Sequence, residues 1–120
     1  MGLVFEEICK QYMLIQMKKN NLPFPIGKIG RWWGSNAKLK RQEEIDILVF
    51  HKDNAIFCEC KWTNSLVDTD VLRDLMEQSS LFDYKNMQYY IFAKTGFTEK
   101  LVKETENNSN VKLICFDDML

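Results

Sequence analysis

The decisive stretch runs from residue 44 to residue 62. It reads Glu44-Ile-Asp-Ile-Leu-Val-Phe50, then His51-Lys-Asp-Asn54, then Ala55-Ile-Phe-Cys-Glu-Cys-Lys-Trp62. Two runs rich in branched and aromatic residues flank a short polar turn, which is the pattern of a β-hairpin. Both runs carry charge where a buried strand normally has none. Asp46 lies between Ile45 and Ile47, and Glu59 and Lys61 interrupt the second run. Side chains alternate along a strand, so Glu59 and Lys61 share a face with Phe57, while Ile56, Cys58 and Cys60 take the other. The separation of 13 between Asp46 and Glu59 fits two antiparallel strands and a turn, which can bring the two carboxylates side by side.

Outward from the hairpin, Leu3 to Lys19 is helical in pattern, with Phe5, Ile8, Cys9, Tyr12 and Ile15 forming one apolar stripe. Lys18 and Lys19 complement the dipole at its end, and Asn20, Asn21 and Pro23 stop it. Lys28 to Trp33 predicts a first strand, and the polar, basic Ser35 to Gln42 a hairpin loop. Asp68 is placed to cap a second helix through about Phe82, with Val71, Leu72, Leu75 and Met76 as its apolar face. Tyr89 to Ala93 reads as a fourth strand. Thr98 caps a third helix carrying Leu101 and Val102, and Val111 to Phe116 is the last strand. The order αβββαβαβ predicts an α/β fold, a mixed sheet covered by helices. No interior linker divides residues 1–120, so we read one domain.

Composition bounds the function. At 120 residues, 46% hydrophobic and 28% charged, the chain has the make-up of a single globular domain. No apolar run approaches the ~18 residues of a membrane span and no secretory segment follows Met1, so the expectation is a cytoplasmic protein with no membrane partner. The net charge of −1 supplies no global attraction to nucleic acid, so DNA affinity would have to come from a local, salt-sensitive patch. A single histidine, His51, excludes a zinc site built from several histidines of one chain. Cys58 and Cys60 form C-x-C without a second pair, so they and Cys9 and Cys115 read as reduced thiols and not as a zinc site.

The charges inside the strands need partners, because a buried carboxylate is costly and two neighbouring ones repel unless a cation or a proton lies between them. Hard oxygen ligands suit Mg²⁺ or Mn²⁺, and the backbone carbonyl of Cys60 is a further oxygen at the same place. Lys61 is of the right type to orient or help deprotonate an attacking water, or to stabilise a phosphate. Together these groups are equipment for phosphodiester hydrolysis. The plainer reading makes Glu59 and Lys61 a solvent-face pair and puts Asp46 at a strand edge. What favours the catalytic reading is the joint pattern: a helix carrying Glu6, then Asp46, a hairpin, Glu59-x-Lys61 and another helix.

That arrangement resembles the PD-(D/E)XK nuclease superfamily, which includes many restriction endonucleases and archaeal Holliday-junction resolvases. The resemblance implies a restriction-endonuclease-like αβββαβ core, extended here by a C-terminal helix and strand. It also implies DNA cleavage dependent on Mg²⁺ or Mn²⁺. Asp46 and Glu59 would be metal ligands, Lys61 the catalytic lysine, and Glu6 the helix glutamate near the metal, with Glu7 the competing choice. Many such nucleases act as symmetric dimers, which leaves a homodimer open. Gly30-Arg-Trp-Trp-Gly34, Glu44-Ile-Asp-Ile-Leu48, Glu59-Cys-Lys-Trp-Thr-Asn64 and Ile91-Phe-Ala-Lys-Thr-Gly-Phe-Thr98 are similar to a nuclease-like C-terminal domain of archaeal and bacterial AAA+-type ATPases. The chain has no G-x-x-x-x-G-K-[ST] motif of its own. This second likeness therefore carries the expectation of a domain excised from a larger ATPase, with the ATPase module as a partner in the same or another chain.

For DNA contact, Arg31 with Trp32 and Trp33 offers a cation and stacking surfaces, although neighbouring tryptophans on a strand face opposite ways and one belongs to the core. Lys38, Lys40 and Arg41 form the one notable basic cluster, either a solvated loop or a phosphate contact. Lys94, with Thr95 and Thr98, lies at a strand-to-helix junction that is either an ordinary cap or a phosphate site. His51 is assigned to an exposed turn. A non-catalytic nucleic-acid-binding or self-association module of a larger ATPase is the alternative function, and RNA is a further substrate the same chemistry allows.

Overall fold

A computed structural model describes residues 2–25, 27–36 and 41–119, with the backbone alone for Trp33, Asn36 and Arg41. Helix α1 (Gly2–Lys18) precedes strands β1 (Lys28–Asn36), β2 (Arg41–His51) and β3 (Asn54–Lys61). Helix α2 (Thr69–Ser79), strand β4 (Asn86–Ala93), helix α3 (Glu99–Thr105) and strand β5 (Val111–Cys115) follow, with a 3-10 turn at Phe116–Met119. The strands form one sheet in the order β1-β2-β3-β4-β5. The first three are an antiparallel meander, whereas β3–β4 and β4–β5 are parallel. Parallel neighbours need a crossover, and α2 and α3 supply the two crossovers here. The αβββαβ core with a mixed sheet flanked by helices is thus present, with the added helix and strand at the end.

The two faces of the sheet are covered differently. Under α1, Phe5, Cys9 and Met13 pack on Ile47, Val49, Ile56 and Phe92. Under α2 and α3, Leu72, Leu75 and Leu101 pack on Leu48, Phe57 and Ile91. Coverage on both sides explains why Ala55-Ile-Phe-Cys58 and Tyr90-Ile-Phe-Ala93 are continuous apolar runs rather than alternating ones. The Phe57 ring lies 5.3 Å from Phe82 and 6.0 Å from Tyr89, centroid to centroid.

Local signals set the element ends. Asp68 caps α2 by accepting from the Thr69 N–H at 2.7 Å, and Thr98 caps α3 by accepting from the Leu101 N–H at 3.2 Å. At the end of α1, Asn20 adopts φ 57°. The N–H groups of Asn20 and Asn21 then close on the carbonyls of Met17 and Gln16, a Schellman motif with Asn in the usual glycine position. In the hairpin turn Lys52 takes φ 54°. Among the described residues no helix is long and apolar enough to cross a membrane.

Four expectations are corrected. The buried row of α1 is Phe5, Cys9 and Met13, and Ile8 and Ile15 are exposed. At about 100° per residue, a helix centred on Cys9 toward the sheet turns Ile8 and Ile15 roughly 100–120° away. In α3 the same spacing buries Leu101 and Thr105 and exposes Val102. Helix α2 stops at Ser79, where the Ser79 and Ser80 hydroxyls donate to the carbonyls of Met76 and Glu77. That release lets Phe82 turn onto Trp32 and Phe57. Strands β1 and β2 also extend into the stretch read as a loop, because ladder hydrogen bonds continue regardless of side-chain polarity.

Candidate functional site

The site is built on a flaw in the sheet. Strands β1 and β2 are in register from Lys28–Phe50 to Gly30–Leu48 and resume at Trp32–Ile45. Asp46 and Ile47 therefore oppose the single residue Arg31, which is a β-bulge. The bulge reverses the alternation along β2. Ile45 joins Leu48 in the core under α2, while Ile47 joins Val49 under α1. Pairing of β2 with β3 runs from the turn only as far as Ile47–Cys58. Beyond that point the Asp46 carboxylate takes the place of a backbone acceptor: the Cys60 N–H donates to Asp46 Oδ2 at 3.0 Å. The carboxylate held in this gap is reached from both faces of the sheet. It borders a hollow of about 210 Å³ beside α1 with Glu6 and Arg31. It also borders a cleft of about 320 Å³ beside α2 with Glu59, Lys61, Asp70 and Asp74.

On the α1 side, carboxylate oxygens of Glu6, Glu44 and Asp46 lie within 4.8 Å of one another. The helix rotation that centres Cys9 leaves Glu6 about 60° away, half-buried beside the sheet, and turns Glu7 outward. Glu7 is exposed and accepts from Gln11 on its own helix. Of the two glutamates left open by sequence, Glu6 is the one beside Asp46. Arg31 occupies the same cluster, with Nη2 2.6 Å from Glu6 Oε1 and Nε 3.7 Å from Glu44 Oε1.

On the α2 side, Lys61 Nζ is 3.8 Å from Glu59 Oε1. Glu59 has only 18% of its side chain exposed. Burial, then the charge of Asp46 and a hydrogen bond shared with it, push the Glu59 carboxyl up to about 8, with Lys61 acting in the opposite direction. Glu43 is buried just beyond and accepts from Gln78 Nε2 at 2.8 Å. Four carboxylates (Glu6, Glu44, Asp46 and Glu59) against two cations (Arg31 and Lys61) leave two negative charges uncompensated when all are ionised. An all-oxygen donor set with that deficit fits a hard divalent cation such as Mg²⁺ or Mn²⁺.

The remaining sequence candidates fall as follows. Cys60 is tied to the site by its N–H, and its side chain is half-buried beside Cys9; all four cysteines are free thiols, Cys9 and Cys58 fully buried. Lys94 lies in the loop after β4, its Nζ 2.8 Å from Asn64 Oδ1 and 5.0 Å from the centre of the Trp62 ring. Trp32 is half-buried and packs on Phe82 with ring centres 4.8 Å apart. Thr98 is engaged with Asp68, as an ordinary cap. Lys38 and Lys40 lie outside the described residues, and Arg41 enters only as the first residue of β2. Sequence reasoning missed Glu44 and the place of Arg31. The spacing of Glu44 and Asp46, two apart in a strand, was the available signal for Glu44.

The αβββαβ order and the mixed sheet, with a carboxylate held at the β2–β3 split, define a mixed α/β fold with an acidic site where two strands part. The chain belongs to the DUF234 family, described as archaeal and bacterial proteins of unknown function, whose model matches residues 1–79. It is 35% identical over 122 residues to the uncharacterized protein MJECL04 of Methanocaldococcus jannaschii, a match covering 98% of this chain and 25% of that protein. The chain thus spans about a quarter of the length of this relative. Among solved structures it is similar to AF1548, a protein of unknown function, with a TM-score of 0.55, 16% identity, and coverage of 92% of this chain and 58% of the other. That likeness shows a shared fold alone. A weaker similarity, TM-score 0.47 at 12% identity, covers 98% of this chain and 33% of the DNA modification-dependent restriction endonuclease AspBHI.

Proposed function

We propose that this domain hydrolyses phosphodiester bonds of DNA with Mg²⁺ or Mn²⁺ as cofactor. The observation that carries the reading is the meeting of Asp46, Glu59 and Lys61 where β2 and β3 part, with Glu6 closing the site from α1. Asp46 and Glu59 are the proposed ligands, with Glu6 and Glu44 beside them and the Cys60 carbonyl as a further oxygen. When bound, the cation supplies Lewis-acid charge at the phosphate and lowers the pKa of a water. The Cys60 N–H fixes the orientation of Asp46. Glu59, ionised, would hold the cation together with Asp46. Lys61 presents its ammonium at the cleft, where it positions an attacking water or takes up developing phosphate charge. Arg31, Lys38, Lys40, Arg41 and Lys94 are the proposed phosphate contacts. The test is cleavage of duplex, branched and single-stranded DNA with Mg²⁺ or Mn²⁺. We expect activity that is lost in Asp46→Asn and Lys61→Ala; variants as active as the parent would refute the assignment.

A second reading makes the domain a non-catalytic module that binds nucleic acid or associates with itself or with a larger ATPase. It is favoured by one observation: the outer side of α1 exposes Leu3, Val4, Ile8 and Ile15. Calorimetric titration separates the two, since a folded chain that takes up neither Mg²⁺ nor Mn²⁺ supports the second.

A further inference from the structure

We propose that Arg31 is the resident counter-cation of the Glu6–Glu44–Asp46 cluster, and that a divalent cation is accepted only as its guanidinium leaves. The inference rests on the reading of Asp46 and its neighbours as cation ligands. It goes beyond that reading by giving the site a built-in competitor.

Arg31 is the one β1 residue opposite the bulge, so the backbone that re-aims Asp46 also sets Arg31 across from it. Its Nη2 is 2.6 Å from Glu6 Oε1, within charge-assisted hydrogen-bond range. Its Nε lies 3.7 Å from Glu44 Oε1. The three carboxylates bring oxygens within 4.8 Å of one another. A divalent ion taken up by this cluster would compete with Arg31 for the Glu6 carboxylate, whose Oε1 Arg31 now holds. It would also meet the guanidinium charge at a distance of a few ångströms, where repulsion is large. The guanidinium stays charged at any working pH, so it cannot yield by losing a proton and must yield by moving. With 40% of the Arg31 side chain exposed, solvent lies open to that movement. The freed fork is suited to bidentate contact with a phosphate. Cation uptake and presentation of Arg31 to the substrate backbone are then two sides of one exchange.

The test is titration of the folded chain with Mn²⁺ alone, followed by calorimetry and by the electron paramagnetic resonance of free Mn²⁺. Wild type is compared with Arg31→Gln, Arg31→Lys and Asp46→Asn. Arg31→Gln is expected to bind Mn²⁺ roughly five- to tenfold more tightly than wild type, the scale of a typical coupling between two binding events. Arg31→Lys keeps the charge and should stay near wild type, and Asp46→Asn should lose the site. Equal or weaker binding by Arg31→Gln, with binding still dependent on Asp46, overturns this inference and leaves the cation reading intact. Failure of both wild type and Arg31→Gln to bind Mn²⁺ overturns the two together. Circular dichroism checks the fold of each variant, and Arg31→Met, which keeps the apolar stem, provides the same comparison if the glutamine variant does not fold.

Discussion

Replacing Glu59 by glutamine should remove a pH dependence from the stability of this domain. The Glu59 carboxyl is pushed up to about 8 from an ordinary 4.5, by burial first and by Asp46 second. Between those two values the folded chain binds a proton that the unfolded chain does not. Stability from this group is therefore complete below about pH 4.5, falls as pH rises toward 8, and is lost above it. The span of about 3.5 units, at ~1.36 kcal/mol each, sets an upper limit of about 5 kcal/mol. Water reaching the 18% of the side chain that is exposed, and relaxation of the pair, bring our figure to about 3 kcal/mol. Glutamine keeps the shape and donates to Asp46 as the protonated carboxyl does, but it does not titrate. The assay is urea unfolding of both proteins from near pH 5 to near pH 9. The two should be about equally stable at the acid end, and Glu59→Gln the more stable by about 3 kcal/mol at the alkaline end. Parallel curves for the two proteins across this range would refute the reasoning. So would a wild type whose stability rises between pH 5 and 8 relative to the variant.

Phe57→Ala should cost about 3–5 kcal/mol, because the ring is fully buried among Phe82, Tyr84 and Tyr89, and chemical denaturation reads this directly. Ile8→Ser should change stability by no more than about 0.5 kcal/mol, whereas Phe5→Ala should cost about 3 kcal/mol or more. A comparable loss in Ile8→Ser would mean that α1 presents a different face to the sheet.

The order of elements was legible because it rests on local signals. Asp68 and Thr98 announce helix starts, Asn20 and Pro23 an end, and the polar turn between two apolar runs a hairpin. Each works through backbone groups within a few residues, so no long-range contact is needed to read it. The rotation of α1 was not legible. Its apolar residues cover more than half of the helix circumference, and Phe5-Ile8-Tyr12-Ile15 and Phe5-Cys9-Met13 are both acceptable rows. The sheet chose the second by offering a complementary surface at Ile47, Val49 and Phe92. That same choice brought Glu6, not Glu7, to Asp46.

For the site, the sequence alone marked Asp46, Glu59 and Lys61, since charge inside an apolar strand is costly without a partner and therefore conspicuous. It also determined the hairpin that brings them near. Only the tertiary structure decided how they meet. Strict alternation puts Asp46 on one face, but the bulge at Asp46–Ile47 and the parting of β2 from β3 place its carboxylate between the faces. A bulge is a mismatch between two strands, so it has no signature in either strand taken by itself. For the same reason Arg31 joined the cluster unannounced, and Glu44 was marked only by its spacing from Asp46: what placed Arg31 across from them was the register of β1 against β2, a property of the pair of strands.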